Sequence, residues 1–563
     1  MRYSAFLLTA GLLITGLFSF LGLLPGSVTP GPITFEDTAE HAGMRFTATN
    51  SATPNRNQIE TMLAGVALLD YDGDGLLDVY FANGAAIPSL QKDDKRFSNR
   101  LFHNNGDGTF TDVTERAGVA GSGYGMGVAV GDFDNDGRPD IFLANVGSNQ
   151  LFHNNGDGTF TDVTARAGLQ GAKLGGRKMW SVSAGWFDYD NDGYLDLFVS
   201  NYCVWQLNSD PYCGPEGRRQ YCHPRLYKPL HNTLYHNNGD GTFTDVSETT
   251  GIAAHAGKGM GVSFADYDGD GFTDVFVAND TTPNFLFHNL KGQRFEEVGV
   301  QSGVAYTQDG IALSGMGSDF RDVDNDGRPD IWHTAVEMEM FPLFLNRGHG
   351  QFFDATLASG IGRSTRDMSG WSNGIFDFDN DGFKDLFVAR ANVNDNPDAT
   401  LANRQYREPN AVFRNAGNGR FQDVSAMAGA SFQIPAAHRG VAFGDLDNDG
   451  RIDAVVTVLN GAARLFHNTT ANANHWILIK LVGRKSNRMG IGARVKITTA
   501  SGTQYNHATA SVGYACSSDT RVHFGLGASR QIAEIEILWP SGIRQVLREV
   551  QGDRVLTVEE PAS

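Results

Sequence analysis

Asp132-Phe133-Asp134-Asn135-Asp136-Gly137-Arg138-Pro139-Asp140 is one of seven copies of a nine-residue pattern, Asp-x-Asp-x-Asp-Gly-x-x-Asp, in this chain of 563 residues. The copies begin at Asp70, Asp132, Asp188, Asp266, Asp322, Asp377 and Asp445, with separations of 55 to 68 residues and one of 78. Ca2+ takes roughly six to eight hard oxygen ligands at about 2.3–2.6 Å, and a tightly wound loop aims alternate side chains at one point. Positions one, three, five and nine then supply the carboxylates. In order these are Asp70, Asp72, Asp74 and Asp78; Asp132, Asp134, Asp136 and Asp140; Asp188, Asp190, Asp192 and Asp196; Asp266, Asp268, Asp270 and Asp274; Asp322, Asp324, Asp326 and Asp330; Asp377, Asp379, Asp381 and Asp385; and Asp445, Asp447, Asp449 and Asp453. Such winding needs positive φ, and the sixth position is always Gly while the fourth is Gly or Asn. Converging carboxylates repel unless a cation lies among them, so up to seven structural Ca2+ ions are expected.

The loops explain the charge. Of 64 acidic residues, 28 lie in them, and the net charge of −19 is therefore chiefly that of the loops. It argues against nucleic acid as a partner, because phosphate binding requires an excess of Lys and Arg.

Outward from each loop the pattern is that of short strands. Gly127-Val128-Ala129-Val130-Gly131 precedes the second loop and Ile141-Phe142-Leu143-Ala144-Asn145 follows it; Leu151-Phe152-His153-Asn154 and Phe160-Thr161-Asp162-Val163 complete the unit. Four antiparallel strands per unit of about 60 residues is the blade of a β-propeller. Three residues before each loop the side chain is small (Ala67, Ala129, Gly185, Ser263, Gly374, Ala442), except at Asp319, as expected where strands crowd an axis. The seventh unit stops at Leu465-Phe466-His467-Asn468 without a fourth strand. Phe35-Glu36-Asp37-Thr38 matches Phe110-Thr111-Asp112-Val113, so strand 35–38 is expected to complete the last blade and close a seven-bladed ring over residues 33–470. The expected fold class is all-β. These repeats resemble the FG-GAP/VCBS family, whose blades carry calcium loops as part of the integrin α ring does.

A different alternation begins at Asn474 and implies a small β-domain over residues 474–560, with strands near 474–481, 493–499, 521–524, 534–539 and 554–559. Gly490-Ile491-Gly492-Ala493-Arg494-Val495, His523-Phe524-Gly525-Leu526-Gly527 and Trp539-Pro540-Ser541-Gly542 resemble the ASPIC/UnbV domain. The combination is similar to the cartilage acidic protein family and its bacterial relatives. The resemblance implies an exported calcium-binding protein discussed in adhesion contexts, and carries over no catalytic residue.

The first residues carry one positive charge and lead into an apolar run from Ala5 to Leu24. This is an export signal, and residues 1–27 read either as a cleaved signal peptide or as an N-terminal membrane anchor, the sole expected membrane contact. In an oxidising compartment Cys213 and Cys222 are the expected disulfide, pinning the longest insertion. A Cys/His metal site with His223 is the alternative, although the spacing fits no compact zinc pattern. Cys203 and Cys516 stay unassigned. His103, His153, His236, His288 and His467 recur once per blade and read as hydrogen-bonders between strands. Lys178, Trp180, Lys258, Arg366, His438 and Arg439 precede the inner strands and are expected to ring a channel mouth as a ligand site. The expected function is an exported, calcium-stiffened scaffold for a protein or glycan. An enzyme acting on extracellular polysaccharide, lyase or hydrolase, or a lectin, is the alternative.

Overall fold

The computed structural model describes residues 32–174, 176–395 and 405–562; the expected signal over residues 1–27 lies outside them. Among the described residues no helix is long and apolar enough to cross a membrane.

The calcium-type loop is a tight connection between two antiparallel strands, and around it four strands build each sheet. In the second unit the strands are Tyr124–Gly131, Asp140–Val146, Gln150–Asn154 and Phe160–Asp162. Seven such four-stranded sheets occur in the propeller region. Each innermost strand packs on the next, and His438–Gly444 of the seventh returns to Val66–Leu69 of the first, so the ring is closed. Apolar clusters fill the spaces between neighbouring blades, from the one shared by Leu69 and Val130 round to the one shared by Phe81 and Leu465. Burial of such faces, at about 25 cal/mol per Å2, is the main force holding blade to blade.

The last blade is completed from the other end of the chain. Phe35–Asp37 pairs antiparallel with Arg464–Asn468, Phe35 opposite Asn468 and Asp37 opposite Phe466. Arg464 Nη1 donates to Asp37 Oδ2 at 2.7 Å, and Phe35 packs on Phe378, Phe387 and Phe432.

Residues after 474 form two sheets over one core. Three strands run in the order Val522–Gly527, His475–Val482, Arg554–Glu559, and four in the order Gly502–His507, Arg494–Thr499, Gln531–Leu538, Arg544–Gln551. Ile477, Ile479, Val495, Ile497, Ile535 and Trp539 lie buried between them. Two of these strands, at 502–507 and 544–551, were not expected from the sequence.

This domain is not a separate bead. Its segment 508–520 enters the propeller axis from the loop face and bonds to blade after blade. Ser517 exchanges backbone bonds with Val66 and Leu68 at 3.0 Å each, Ala515 O accepts from Val128 N at 3.1 Å, and Ala515 N donates to Ser183 Oγ at 3.0 Å. Gly513 pairs with Ser318, Tyr514 N reaches Ser372 Oγ at 2.9 Å, and Asp519 N donates to Phe443 O at 2.9 Å. His507 Nε2 lies 2.9 Å from Phe264 O, so all seven inner strands are engaged. Tyr514 goes deepest, with its hydroxyl donating to Met62 O at 2.7 Å and its ring against Trp371. The axis has room because the inner strands are small there: a Cβ on Gly185 would collide with Ser511 Oγ and the Phe264 ring.

Tyr514→Ala should cost about 3–5 kcal/mol, as for other large-to-small core changes. Guanidinium unfolding of the full chain checks this; a change under 1 kcal/mol would mean the segment only rests in the axis.

Candidate functional site

The seven loops are alike in detail, and the geometry begins with their first and ninth aspartates. In every copy the first Asp accepts from the N–H of the sixth-position Gly, at 2.8 to 3.2 Å, which winds the loop round it. The winding puts Gly75, Gly137 and their counterparts at φ of 88° to 96°, and Asn135, Asn191, Asn325, Asn380 and Asn448 at 57° to 59°, the left-handed region that Gly and Asn tolerate.

The ninth Asp is buried in each copy. One oxygen accepts from the N–H of the loop's second residue, as from Tyr71 to Asp78 at 3.0 Å. The other accepts at 2.8 Å from the N–H of the Asn that ends the third strand, from Asn104 round to Asn468. That Asn's side chain then crosses to the preceding blade. Asn154 Nδ2 donates to Tyr71 O, Asn237 to Phe133 O, and so on until Asn104 donates to Leu446 O of the seventh blade, at 2.7 to 2.9 Å throughout. A closed circle of amide bonds therefore ties every loop to its neighbour.

The remaining carboxylates are the candidate metal donors. Asp70, Asp134, Asp190 and Asp324 each keep a buried Oδ1 without a hydrogen-bond partner, the arrangement a cation satisfies; in the sixth loop the corresponding oxygen, Asp379 Oδ2, also lacks a hydrogen bond and faces Arg414 Nε as an ion pair. Groups such as Asp72–Asp74–His103 and Asp134–Asp136–His153 lie close enough to hold one ion. The recurrent histidines thus belong to these clusters: Nδ1 of His103, His153, His236, His288 and His467 lies 3.1 to 3.2 Å from the ninth Asp. They do link strands, but through the loop carboxylate. Without a cation, burial and neighbouring carboxylates push Asp78 and Asp445 up to about 8 and Asp132 to about 7. The bond to the ninth Asp raises His236 and His288 to about 8 and His467 to about 9.

The six residues expected at a channel mouth are dispersed. Trp180, Lys258, His438 and Arg439 are buried, Lys178 is partly covered and bonds Ser148 Oγ, and Arg366 is exposed. Arg439 is wholly packed, its Nε donating to Thr61 O at 3.0 Å and its guanidinium 4.1 Å above Trp371. The mouth opposite the C-terminal domain is a cavity of about 300 Å3 lined by others, among them Gln58, Tyr221, Asp280, Glu337, Trp371 and Asn392. Its wall includes Cys222 and His223 of the third-blade insertion, where Cys213 and Cys222 form a disulfide. That insertion grips the segment before the first blade: Tyr221 Oη donates to Glu60 at 3.1 Å, and Asp210 accepts from Gln58 N at 3.1 Å. Cys203 and Cys516 are buried and unpaired.

A pH dependence follows. Asp78, Asp132, Asp445, His236, His288 and His467 bind more protons folded than unfolded, so each favours the folded state at low pH and loses that effect as pH rises through its folded pKa. Buried His333, His507 and His523 are held below the usual 6.5 and pull the other way at lower pH, so it is between pH 7 and pH 9 that the metal-free chain should melt at progressively lower temperature, and a saturating divalent cation should flatten the slope. Calorimetry at several pH values decides; a metal-free profile rising with pH would refute it.

Comparison with known proteins agrees with the repeat pattern. The FG-GAP-like repeat profile matches residues 70–143, 132–199, 226–277, 266–333 and 377–456, and the ASPIC and UnbV profile matches residues 483–563. Cartilage acidic protein 1 of Homo sapiens is 25% identical over 560 residues, covering 94% of this chain and 76% of the relative; that of Mus musculus is 24% identical over 545 residues, covering 93% and 77%. Among solved structures, an Agrocybe aegerita lectin recognising terminal N-acetylglucosamine aligns with a TM-score of 0.38 at 16% identity, over 74% of this chain and 90% of the lectin. The chain belongs to the FG-GAP-like repeat proteins and carries an ASPIC and UnbV domain after its repeats.

Proposed function

We propose that this protein is exported, binds structural Ca2+ in its blade loops, and serves as a rigid scaffold for an extracellular protein or glycan. The observation that carries the reading is the set of buried carboxylate oxygens without hydrogen-bond partners in loops already wound by their own amides. All-oxygen donors with a flexible count suit Ca2+ better than the softer transition metals. Export is supported by the Cys213–Cys222 disulfide, a bond that persists in oxidising compartments.

The binding surface is proposed at the free mouth. Its cavity combines aromatic, amide and carboxylate side chains, and Gln58 Oε1 in its lining lacks a hydrogen-bond partner. Asp280 is engaged by the Tyr202 hydroxyl at 2.6 Å, which suits a fixed polar wall better than a proton-transferring acid. We therefore read the site as binding rather than catalytic, with no role for nucleic acid and with membrane contact only where the N-terminal segment is kept as an anchor instead of being cleaved.

Removal of calcium should lower the melting temperature by at least about 10 °C, and millimolar calcium should restore it, since extracellular sites bind at about 10⁻⁴–10⁻³ M. On glycan and peptide arrays the calcium-loaded chain should retain ligand unchanged. Gln58→Leu should weaken retention about tenfold, the loss of one or two hydrogen bonds. Shortened saccharide products would replace this reading with a polysaccharide-degrading enzyme.

A further inference from the structure

The sixth loop departs from the other six. The residue before the third-strand Asn is His in blades 1 to 4 and 7, Leu345 in blade 5, and Arg414 in blade 6. Arg414 reaches into its own loop, with Nε 2.8 Å from Asp379 Oδ2 and Nη2 donating to Asp381 Oδ2 at 2.8 Å. A guanidinium is always charged, and its planar fork matches two carboxylates at once. Neutral imidazole can sit beside a bound cation; a guanidinium at that distance repels one. Arg138, Arg328 and Arg451 differ, because in its loop each meets the fifth-position Asp alone while its Nε donates to a strand carbonyl, and Arg494 meets the fourth loop by one contact only, 3.1 Å from Asp266.

Access points the same way. The third-position Asp side chain is 23% to 48% exposed in the other six loops, whereas Asp379 is 2% exposed. The C-terminal domain is what covers it. Asn472 and Asn474 donate to Asp379 O at 2.6 and 2.8 Å, and Gly527 N donates to Asn380 O at 2.8 Å. Gly525 lies so close that a Cβ there would strike the Asp377 carboxylate.

We propose that the sixth loop takes no calcium: Arg414 is its built-in cation, and this makes it the metal-independent foothold of the C-terminal domain on the propeller. The inference rests on the calcium reading of the other loops, and the measurement separates the two. Full-length protein stripped with chelator and retitrated with Ca2+ alone, its ions counted by mass spectrometry, should bind at most six, and Arg414→His should bind one more. Hydrogen exchange in chelator should show residues 377–385 and 472–482 still protected while the other loops open; Arg414→Ala should abolish that protection. Seven ions in the native chain, or a sixth loop that opens with the rest, would overturn the inference and leave the calcium reading standing. No bound calcium at all would remove both. The ion count on the native chain needs no variant, so a poorly folding Arg414→Ala protein does not block the decision.

Discussion

One buried carboxylate per blade holds this molecule together. The ninth loop Asp has no exposed surface to speak of, and both of its oxygens are occupied by backbone N–H groups, one from the start of the loop and one from the end of the third strand. It thereby fixes where the loop starts and where the third strand ends. The Asn it orients then reaches the neighbouring blade, so a local charge becomes an inter-blade tie. Gathering four carboxylates is costly unless opposite charge is close, and the metal-free loops show the strain as raised proton affinity at buried aspartates such as Asp78, Asp377 and Asp445. Five loops answer with a His beside the ninth Asp, the sixth with an Arg.

The inserted segment changes what kind of object the propeller is. A ring of blades ordinarily leaves an axial opening, but here residues 508–520 turn that opening into core, and one face is covered by the domain they come from. What stays free is a single mouth, floored by Trp371 and walled by the disulfide-pinned insertion. The aspartate loops and the mouth therefore lie at opposite ends of the same inner strands.

The parts legible in the sequence were those in which all partners lie within a few residues or recur at a fixed period. The loop aspartates span nine positions, the positive-φ Gly and Asn positions are conspicuous, and strand 35–38 repeats the wording of a fourth strand. The Cys213–Cys222 bridge was legible because the loop it closes is short. The inserted segment was not. Ser511-Val512-Gly513-Tyr514-Ala515-Cys516-Ser517-Ser518 looks like an ordinary turn, and its partners are inner strands that lie from 75 to more than 400 residues away. His438 and Arg439 look like surface groups in the sequence, but Arg439 is closed over by Thr61 and Trp371, and His438 lies against the Arg390 and Glu408 carbonyls. Strands 502–507 and 544–551 escaped because both are largely polar and show little alternation. The inter-blade Asn was overlooked because its neighbour His drew the attention.

Closure by the first strand also dictates a timetable. Residues 35–37 leave the ribosome before any blade exists, yet their partner strand ends at Asn468, and the axial filler follows some forty residues later. The first six blades each own all four of their strands, but the seventh sheet, the closure of the ring and the filled centre must wait until nearly the whole polypeptide has been delivered.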